Sequence, residues 1–208
     1  MADYLLNALV TLFVTIDPIG LAPIFMVLTS GFGPVARREA AMRACLTAGG
    51  VLIAFAIVGE ALIGVLGISI AAFKIAGGLL LFAIAFEMVF ERRTERKTAT
   101  VEKASAGDLG HIAIFPLAIP LISGPGAISA TILIASQATT WLAVLGLIVV
   151  ISLLIGACFA VFLVAPRIER SLGDTGRLVV SRLLGIILAA LSVQFVADGI
   201  TAIVASAS

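Results

Sequence analysis

Two short stretches hold the residues best able to do chemistry. The first is Thr15-Ile16-Asp17-Pro18-Ile19-Gly20-Leu21-Ala22-Pro23, and the second is Pro116-Leu117-Ala118-Ile119-Pro120-Leu121-Ile122-Ser123-Gly124-Pro125-Gly126. Each interrupts a long apolar run. A carboxylate at the centre of a membrane helix costs about 2.5–3.5 kcal/mol on insertion scales. Each proline removes an amide donor and clashes with the carbonyl four residues back. In lipid, such a break persists only where it is buried in protein or lines a wet cavity. A broken helix leaves free carbonyls at the end of its first half and free amides at the start of its second, and the amide end attracts anions. Gly124-Pro125-Gly126 fits such an amide end: glycine lets a ligand approach the backbone, and proline is tolerated in the first helical turn. Ser123 is expected to add a hydroxyl or to cap the new helix. Pro18 and Gly20 play the same part in the first stretch, with Asp17 as the cap. Together the stretches offer amides to a carboxylate and a side-chain anion to an ammonium, which suits a zwitterionic amino acid with a small or neutral side chain. The competing reading is a pair of kinks filled by neighbouring helices, with Asp17 satisfied by nearby amides.

The elements that carry these stretches follow from composition. The chain has 208 residues, of which 62% are hydrophobic and 12% charged; soluble domains are typically about 45–50% apolar and about 25% charged. The expectation is an all-α polytopic membrane protein. Six segments are long enough to span a hydrocarbon core that needs about 20 apolar residues: 4–28, 41–66, 69–90, 111–136, 141–165 and 181–204. Met1 to Tyr4 carries no cationic n-region, so the first run reads as a retained helix rather than a cleaved signal peptide. No basic stripe with interleaved aromatics is present, so nucleic acid is not expected as a partner. Cys45 and Cys158 lie within apolar runs and read as buried small hydrophobes, with neither a disulfide nor a metal inferred.

Orientation is read from lysine and arginine in the loops. Arg37, Arg38 and Arg43 flank the first loop; Arg92, Arg93, Arg96, Lys97 and Lys103 lie in the third; Arg167, Arg170, Arg177 and Arg182 flank the fifth. Lys74, near the outer end of segment three, is the remaining one of the 13 basic residues. The odd loops are therefore placed in the cytoplasm and both termini outside. The domain reading is a single membrane domain, 1–208, made of a three-helix repeat at 1–90, a charged linker at 91–110 and a second three-helix repeat at 111–208. The halves echo each other at a displacement of about 107–108 residues: Pro18 falls on Pro125, and Lys74 to Gly77 on Arg182 to Gly185. An odd number of helices per half makes the second copy enter from the opposite side. This is the inverted-topology arrangement of secondary transporters, with helices 1 and 4 broken.

Further polar residues lie in or near the spans. Glu87 is read as interfacial or proton-linked. Lys74 is a candidate to pair with Asp198 or Glu60 as an outer gate, and Gln194 to bond across helices. Gly185 and Ala189 form a small-xxx-small pair of the kind that packs helices closely. His111, the single histidine, is read as interfacial.

Asp17-Pro18-Ile19-Gly20-Leu21-Ala22-Pro23-Ile24-Phe25, Pro116 to Ile128, and Gln194-Phe195-Val196-Ala197-Asp198-Gly199-Ile200 resemble the MarC family of six-helix bacterial inner-membrane proteins. The resemblance spans essentially the whole chain. It implies a transport fold in the inner membrane, related to the SnatA-type transporters of glycine and alanine and placed near the LysE-type exporters. It places the substrate at Asp17 to Gly20 and Ser123 to Gly126. The leading function is thus a secondary transporter or exporter of small neutral amino acids, cycling by rocking of the two repeats, with the lipid bilayer as its surroundings and homo-oligomerisation left open. The alternatives are export of another small metabolite or drug, and an intramembrane enzyme. Against the enzyme stand the single histidine and the lack of a His-Glu-x-x-His or Gly-x-Ser-x-Gly motif. No cofactor or metal is expected.

Overall fold

The computed structural model describes residues 1–93 and 113–207. Much of the expected charged linker at 91–110, with Arg96, Lys97, Lys103 and also His111, lies outside the described residues. Among these residues eight helical pieces follow in order: α1 Ala2–Ile16, α2 Pro18–Leu28, α3 Pro34–Val65, α4 Ile70–Val89, α5 Ala113–Ile122 and α6 Pro125–Ala135, then α7 Trp141–Ile168 and α8 Thr175–Ser206. No strand occurs among the described residues. The spans Ala2–Leu28, α3, α4, α7 and α8 are each long and apolar enough to cross a membrane; α5 and α6, bent by 54° at the break, pass the same test only together, as one broken span or a re-entrant loop.

α4 and the α5–α6 pair fall within a residue or two of the expected bounds, whereas α3, α7 and α8 reach beyond them. α3 begins at Pro34 rather than near residue 41, because Gly33 and a proline in the first turn start a helix well. Its 32 residues make a rod of about 48 Å, longer than a core of about 30 Å. The added turns carry Arg37, Arg38, Glu39 and Arg43, where Arg43 and Glu39 pair at 2.5 Å. Likewise α7 and α8 nearly meet, and a single non-helical residue, Gly173 (φ 58°, ψ −176°), breaks the run between them. Glu91, just past α4, pairs with Arg182 in α8, so the C-terminal end of α4 and the N-terminal part of α8 lie side by side.

The first span is the axis of the bundle. Within its most apolar window 61% of residues are buried, against 22–33% for α3, α4, α7 and α8. Leu12, Ile16 and Leu21 are completely enclosed, while Leu6, Val27, Leu46, Leu79, Leu153 and Leu183 are each more than half exposed. Outward apolar side chains on every long helix are what a lipid-facing surface requires, and no soluble monomer carries so extensive a patch.

Small residues set the closest helix approach. α4 and α8 run antiparallel: a methyl group on Gly78 would lie 2.9 Å from the Ser192 carbonyl oxygen, one on Gly185 3.1 Å from that of Ala85, and one on Gly199 2.8 Å from that of Ala71. The seam thus repeats every seven residues on both helices, Ala71, Gly78 and Ala85 against Gly199, Ser192 and Gly185. The expected close packing at Gly185 is present, with backbone against backbone as such motifs allow. α1 and α6 are also antiparallel, since Tyr4 Oη donates to the Ile134 carbonyl at 3.2 Å while Thr15 faces Gly126.

Candidate functional site

The first break is a single residue. Asp17 ends α1 and starts α2 in the left-handed region (φ 57°, ψ 64°), a conformation that Asp and Asn tolerate better than most residues. Its carboxylate accepts the Gly20 amide at 3.0 Å, an N-cap on the helix that Pro18 opens. Gly20 is required there by space: a methyl group would lie 2.2 Å from Asp17 Oδ2. Asp17 is buried, with 7% of its surface exposed.

The second break is longer. Phe115 (φ −129°, ψ 123°) and Ile119 (φ −126°, ψ 119°) are extended, and each precedes a proline, which disfavours the helical region for the residue before it. The carbonyls here fall out of helical register. Ala118 O therefore accepts both the Ser123 amide at 2.9 Å and the Ser123 hydroxyl at 2.9 Å. This corrects the expectation that Ser123 caps the following helix: its hydroxyl is turned back into α5, and the N-cap of α6 is Gly124, with no side-chain cap. A methyl group on Gly124 would strike the Pro120 carbonyl oxygen at 2.4 Å.

A cavity of about 230 Å3 lies where the end of α1 meets the start of α6. Thr15 comes from the first break, and Gly124, Pro125, Gly126 and Ala127 from the second; Leu80 and Ile84 of α4 close one wall. A methyl group on Gly126 would meet Ile84 Cδ1 at 2.1 Å, so a side chain there has to displace the end of Ile84. The Thr15 hydroxyl donates to the Thr11 carbonyl at 2.6 Å, so Thr15 turns its methyl group toward Gly126. Of the seven expected binding residues, Gly124, Pro125 and Gly126 line this cavity. Asp17, Pro18, Gly20 and Ser123 do not line it; they shape the two breaks from behind.

Arg93 also lines the cavity. Sequence reasoning counted it among solvated loop cations, yet it is 5% exposed. α1 and α4 run parallel, about 22 Å and about 30 Å long at 1.5 Å per residue, so an arginine just beyond α4 reaches back to the level of the first break. Its Nη2 donates to the Thr15 carbonyl at 2.5 Å and its Nη1 to the Val14 carbonyl at 3.4 Å, with Met88 Sδ at 2.8 Å from Nη1. A full positive charge thus sits on the negative end of α1's dipole. Its neighbour Arg92 is exposed, and nothing in the pattern of charges distinguishes the two.

The outer candidates are arranged otherwise than expected. Gln194 Nε2 donates to Asp198 Oδ1 at 2.7 Å along its own helix, which corrects the expected bond across helices; residues four apart on a helix face each other. Among the described residues no ion pair joins Lys74 to Asp198 or Glu60. Glu87 and Lys74 are half-buried on α4. No group of three or more His, Cys, Asp or Glu able to hold a metal occurs among the described residues.

A sequence profile of a family described as "MarC family integral membrane protein" matches residues 2–204. A "UPF0056 membrane protein" of Buchnera aphidicola subsp. Schizaphis graminum is 35% identical over 194 residues, covering 93% of this chain and 90% of the relative. The "UPF0056 membrane protein YhcE" of Escherichia coli (strain K12) is 35% identical over 192 residues, 92% of this chain and 89% of the relative. A "UPF0056 membrane protein" of Archaeoglobus fulgidus is 38% identical over 192 residues, 91% of this chain and 89% of the relative. No solved structure matches.

Proposed function

The chain belongs to the MarC family of integral membrane proteins, and on that premise we propose that it is a secondary transporter or exporter of small neutral amino acids of the glycine and alanine kind. The observation that carries this reading is the cavity between the two helix breaks, walled by Thr15 on one side and Gly124 to Ala127 on the other. Broken helices meeting inside a membrane bundle are the usual site of substrate in secondary transporters. At about 230 Å3 the cavity is smaller than the about 300–1,000 Å3 of pockets for drug-sized ligands. That favours a small solute over a bulky drug. The first-turn amides of α6 have no side-chain cap and suit a carboxylate.

Alternating access in this reading runs about two inverted three-helix repeats. α2 and α6 support it: both have 11 residues, both open on proline, and Pro125 follows Pro18, as Ala135 follows Leu28, at the same displacement of 107 positions. The α4–α8 seam supports it too. At that displacement Gly78 corresponds to Gly185 and Ala85 to Ser192, so Gly78 on the Ser192 carbonyl is the counterpart of Gly185 on the Ala85 carbonyl. Placement in the inner membrane with both termini outside belongs to the same proposal, supported by the basic residues of the odd loops.

The test is counterflow in proteoliposomes preloaded with unlabelled glycine or alanine, following labelled uptake. Saturable exchange is expected in the wild type. It is lost in Gly126→Leu, which fills the cavity, and retained in Asp17→Asn, which keeps the cap and lies outside the cavity lining. Absence of exchange for every small neutral amino acid, from protein that elutes as a folded species, would sink the substrate class. Exchange undiminished in Gly126→Leu would move the site elsewhere.

A further inference from the structure

We propose that a second pocket, at the end of the first span, is a binding site for an anionic phospholipid. It is a cavity of about 330 Å3 where the end of α2, the start of α3 and the end of α7 come together. It shares no lining residue with the cavity between the breaks. Two kinds of side chain line it. Arg37 and Arg38 bring positive charge. The rest is largely apolar: Phe25 and Phe162, both buried, stack with ring centroids 4.6 Å apart and planes at 12°. Met26 and Leu163 extend that apolar wall, and Leu163 is 47% exposed, so the wall runs out to the surface that faces lipid.

The cations are held ready for an anion. Arg37 is half-buried, and its Nε donates at 3.1 Å to the carbonyl of Thr29, the residue that ends α2. That bond fixes one nitrogen of the guanidinium, and no hydrogen bond or ion pair among the described residues engages Nη1 or Nη2. Arg38 has neither a hydrogen bond nor an ion pair among the described residues. Glu39, the acid next to them in the chain, is taken by Arg43 at 2.5 Å, and no carboxylate lines the cavity. Two like charges on one cavity favour an anion between them, and guanidinium nitrogens match the spacing of phosphate oxygens. Pro34, the first residue of α3, also lines the cavity, so the positive end of that helix adds to the attraction. A free anion would use the cations and leave the apolar wall wet. A phosphodiester on Arg37 and Arg38, with an acyl chain over Met26, Phe162 and Leu163, satisfies both. Basic pockets between membrane helices on the cytoplasmic side, where these arginines are placed above, take anionic headgroups in this way. A lipid so seated touches α2, α3 and α7 at once and braces the half-span that follows the Asp17 break.

The experiment uses purified full-length protein in a neutral detergent and native mass spectrometry, which resolves each bound lipid by mass. Phosphatidylglycerol is titrated against phosphatidylcholine with the same palmitoyl and oleoyl chains. Phosphatidylglycerol is expected to fill the first site about 30-fold more tightly, since an arginine near an anionic headgroup is worth about fivefold in affinity and two line the pocket. Arg38→Gln should lose about fivefold of that preference, and Arg37→Gln combined with Arg38→Gln should lose all of it. Arg92→Gln removes one exposed charge outside the pocket and should leave the preference intact. Glycerol 3-phosphate, which carries the charge without the chains, should not displace bound phosphatidylglycerol even in large excess. Equal binding of the two lipids overturns the proposal. So does an equal loss in Arg92→Gln and Arg38→Gln, because the lipid is then held by surface charge at large and not by the pocket. Displacement by glycerol 3-phosphate overturns it as well, because the site then takes a soluble phosphate ester. If the double variant does not fold, Arg38→Gln carries the test, since Arg38 is exposed and bonded to nothing among the described residues.

Discussion

Replacing Gly20 by alanine isolates the cap that holds the first break together. The added methyl group would lie 2.2 Å from Asp17 Oδ2 and 2.7 Å from both Cγ and Oδ1; all three nearest atoms belong to Asp17. The carboxylate must swing away, which breaks its 3.0 Å bond from the Gly20 amide. A hydrogen bond to a charged group is worth about 1.5–3 kcal/mol. Alanine returns about 0.8–1.0 kcal/mol of helix propensity over glycine. The net loss is about 0.5–2 kcal/mol, or about 1–8 °C at about 2–4 °C per kcal/mol for a chain of this size. The sign reverses once Asp17 is truncated. In an Asp17→Ala background the clash is gone, and Gly20→Ala becomes neutral or stabilising by up to about 1 kcal/mol. A coupling energy of about 1.5–3 kcal/mol between the two positions follows. Asp17→Asn, by contrast, keeps both the cap and the left-handed backbone, since asparagine ranks with aspartate at both. Thermal unfolding followed by circular dichroism on the four members of the cycle measures the coupling. Additive effects, within about 0.5 kcal/mol, would show that the Asp17 carboxylate does not hold this helix start.

The α4–α8 seam makes a second prediction. Gly78→Ala and Gly199→Ala push a methyl group onto backbone and should each cost about 1–3 kcal/mol, whereas Gly50→Ala and Gly156→Ala, which meet nothing within 4 Å, should raise the thermal midpoint by up to about 1 kcal/mol equivalent. Glu91 makes a third: it sits at φ 66°, a conformation costing an L-residue about 1–2 kcal/mol, while its pair with Arg182, 55% and 39% exposed, contributes about 0–1 kcal/mol. Glu91→Gly should therefore be neutral or stabilising by about 1 kcal/mol, and a clear loss in the same melt would show the ion pair to outweigh the backbone strain.

The parts of this molecule legible in sequence are those written in length and in proline. Five of the six apolar runs are spans and the sixth is the bent α5–α6 pair, because a run of about 20 apolar residues has few other uses. Pro18, Pro120 and Pro125 mark the breaks, because no helix interior accommodates them without cost. Asp17 as a cap followed from its place one residue before Pro18. Ser123 was misread because its hydroxyl answers a carbonyl displaced by the extended Ile119, a backbone geometry that a pattern of residue types does not specify. Arg93 was missed because inward and outward arginines have the same neighbours in the chain; only the depth at which α1 ends, against the length of α4, turns it inward. Gln194 and Asp198 stand four apart, and that spacing already favoured a bond along one helix over one between two.

The Asp17 cap also bears on how the protein is assembled. The span Ala2–Leu28 becomes the most enclosed of all, yet it is synthesised before the helices that enclose it. Arg93 leaves the ribosome 76 residues after Asp17, several seconds later at about 5–20 residues per second. Through that interval nothing from α6 or α8 is present to receive a carboxylate in the bilayer, and α4 comes only at its end. The Gly20 amide, three residues away on the same span, is present throughout. A span that carries its own donor can enter lipid with its acidic residue already engaged, and the guanidinium that later meets the end of α1 arrives as a clasp on a helix pair that is already in place.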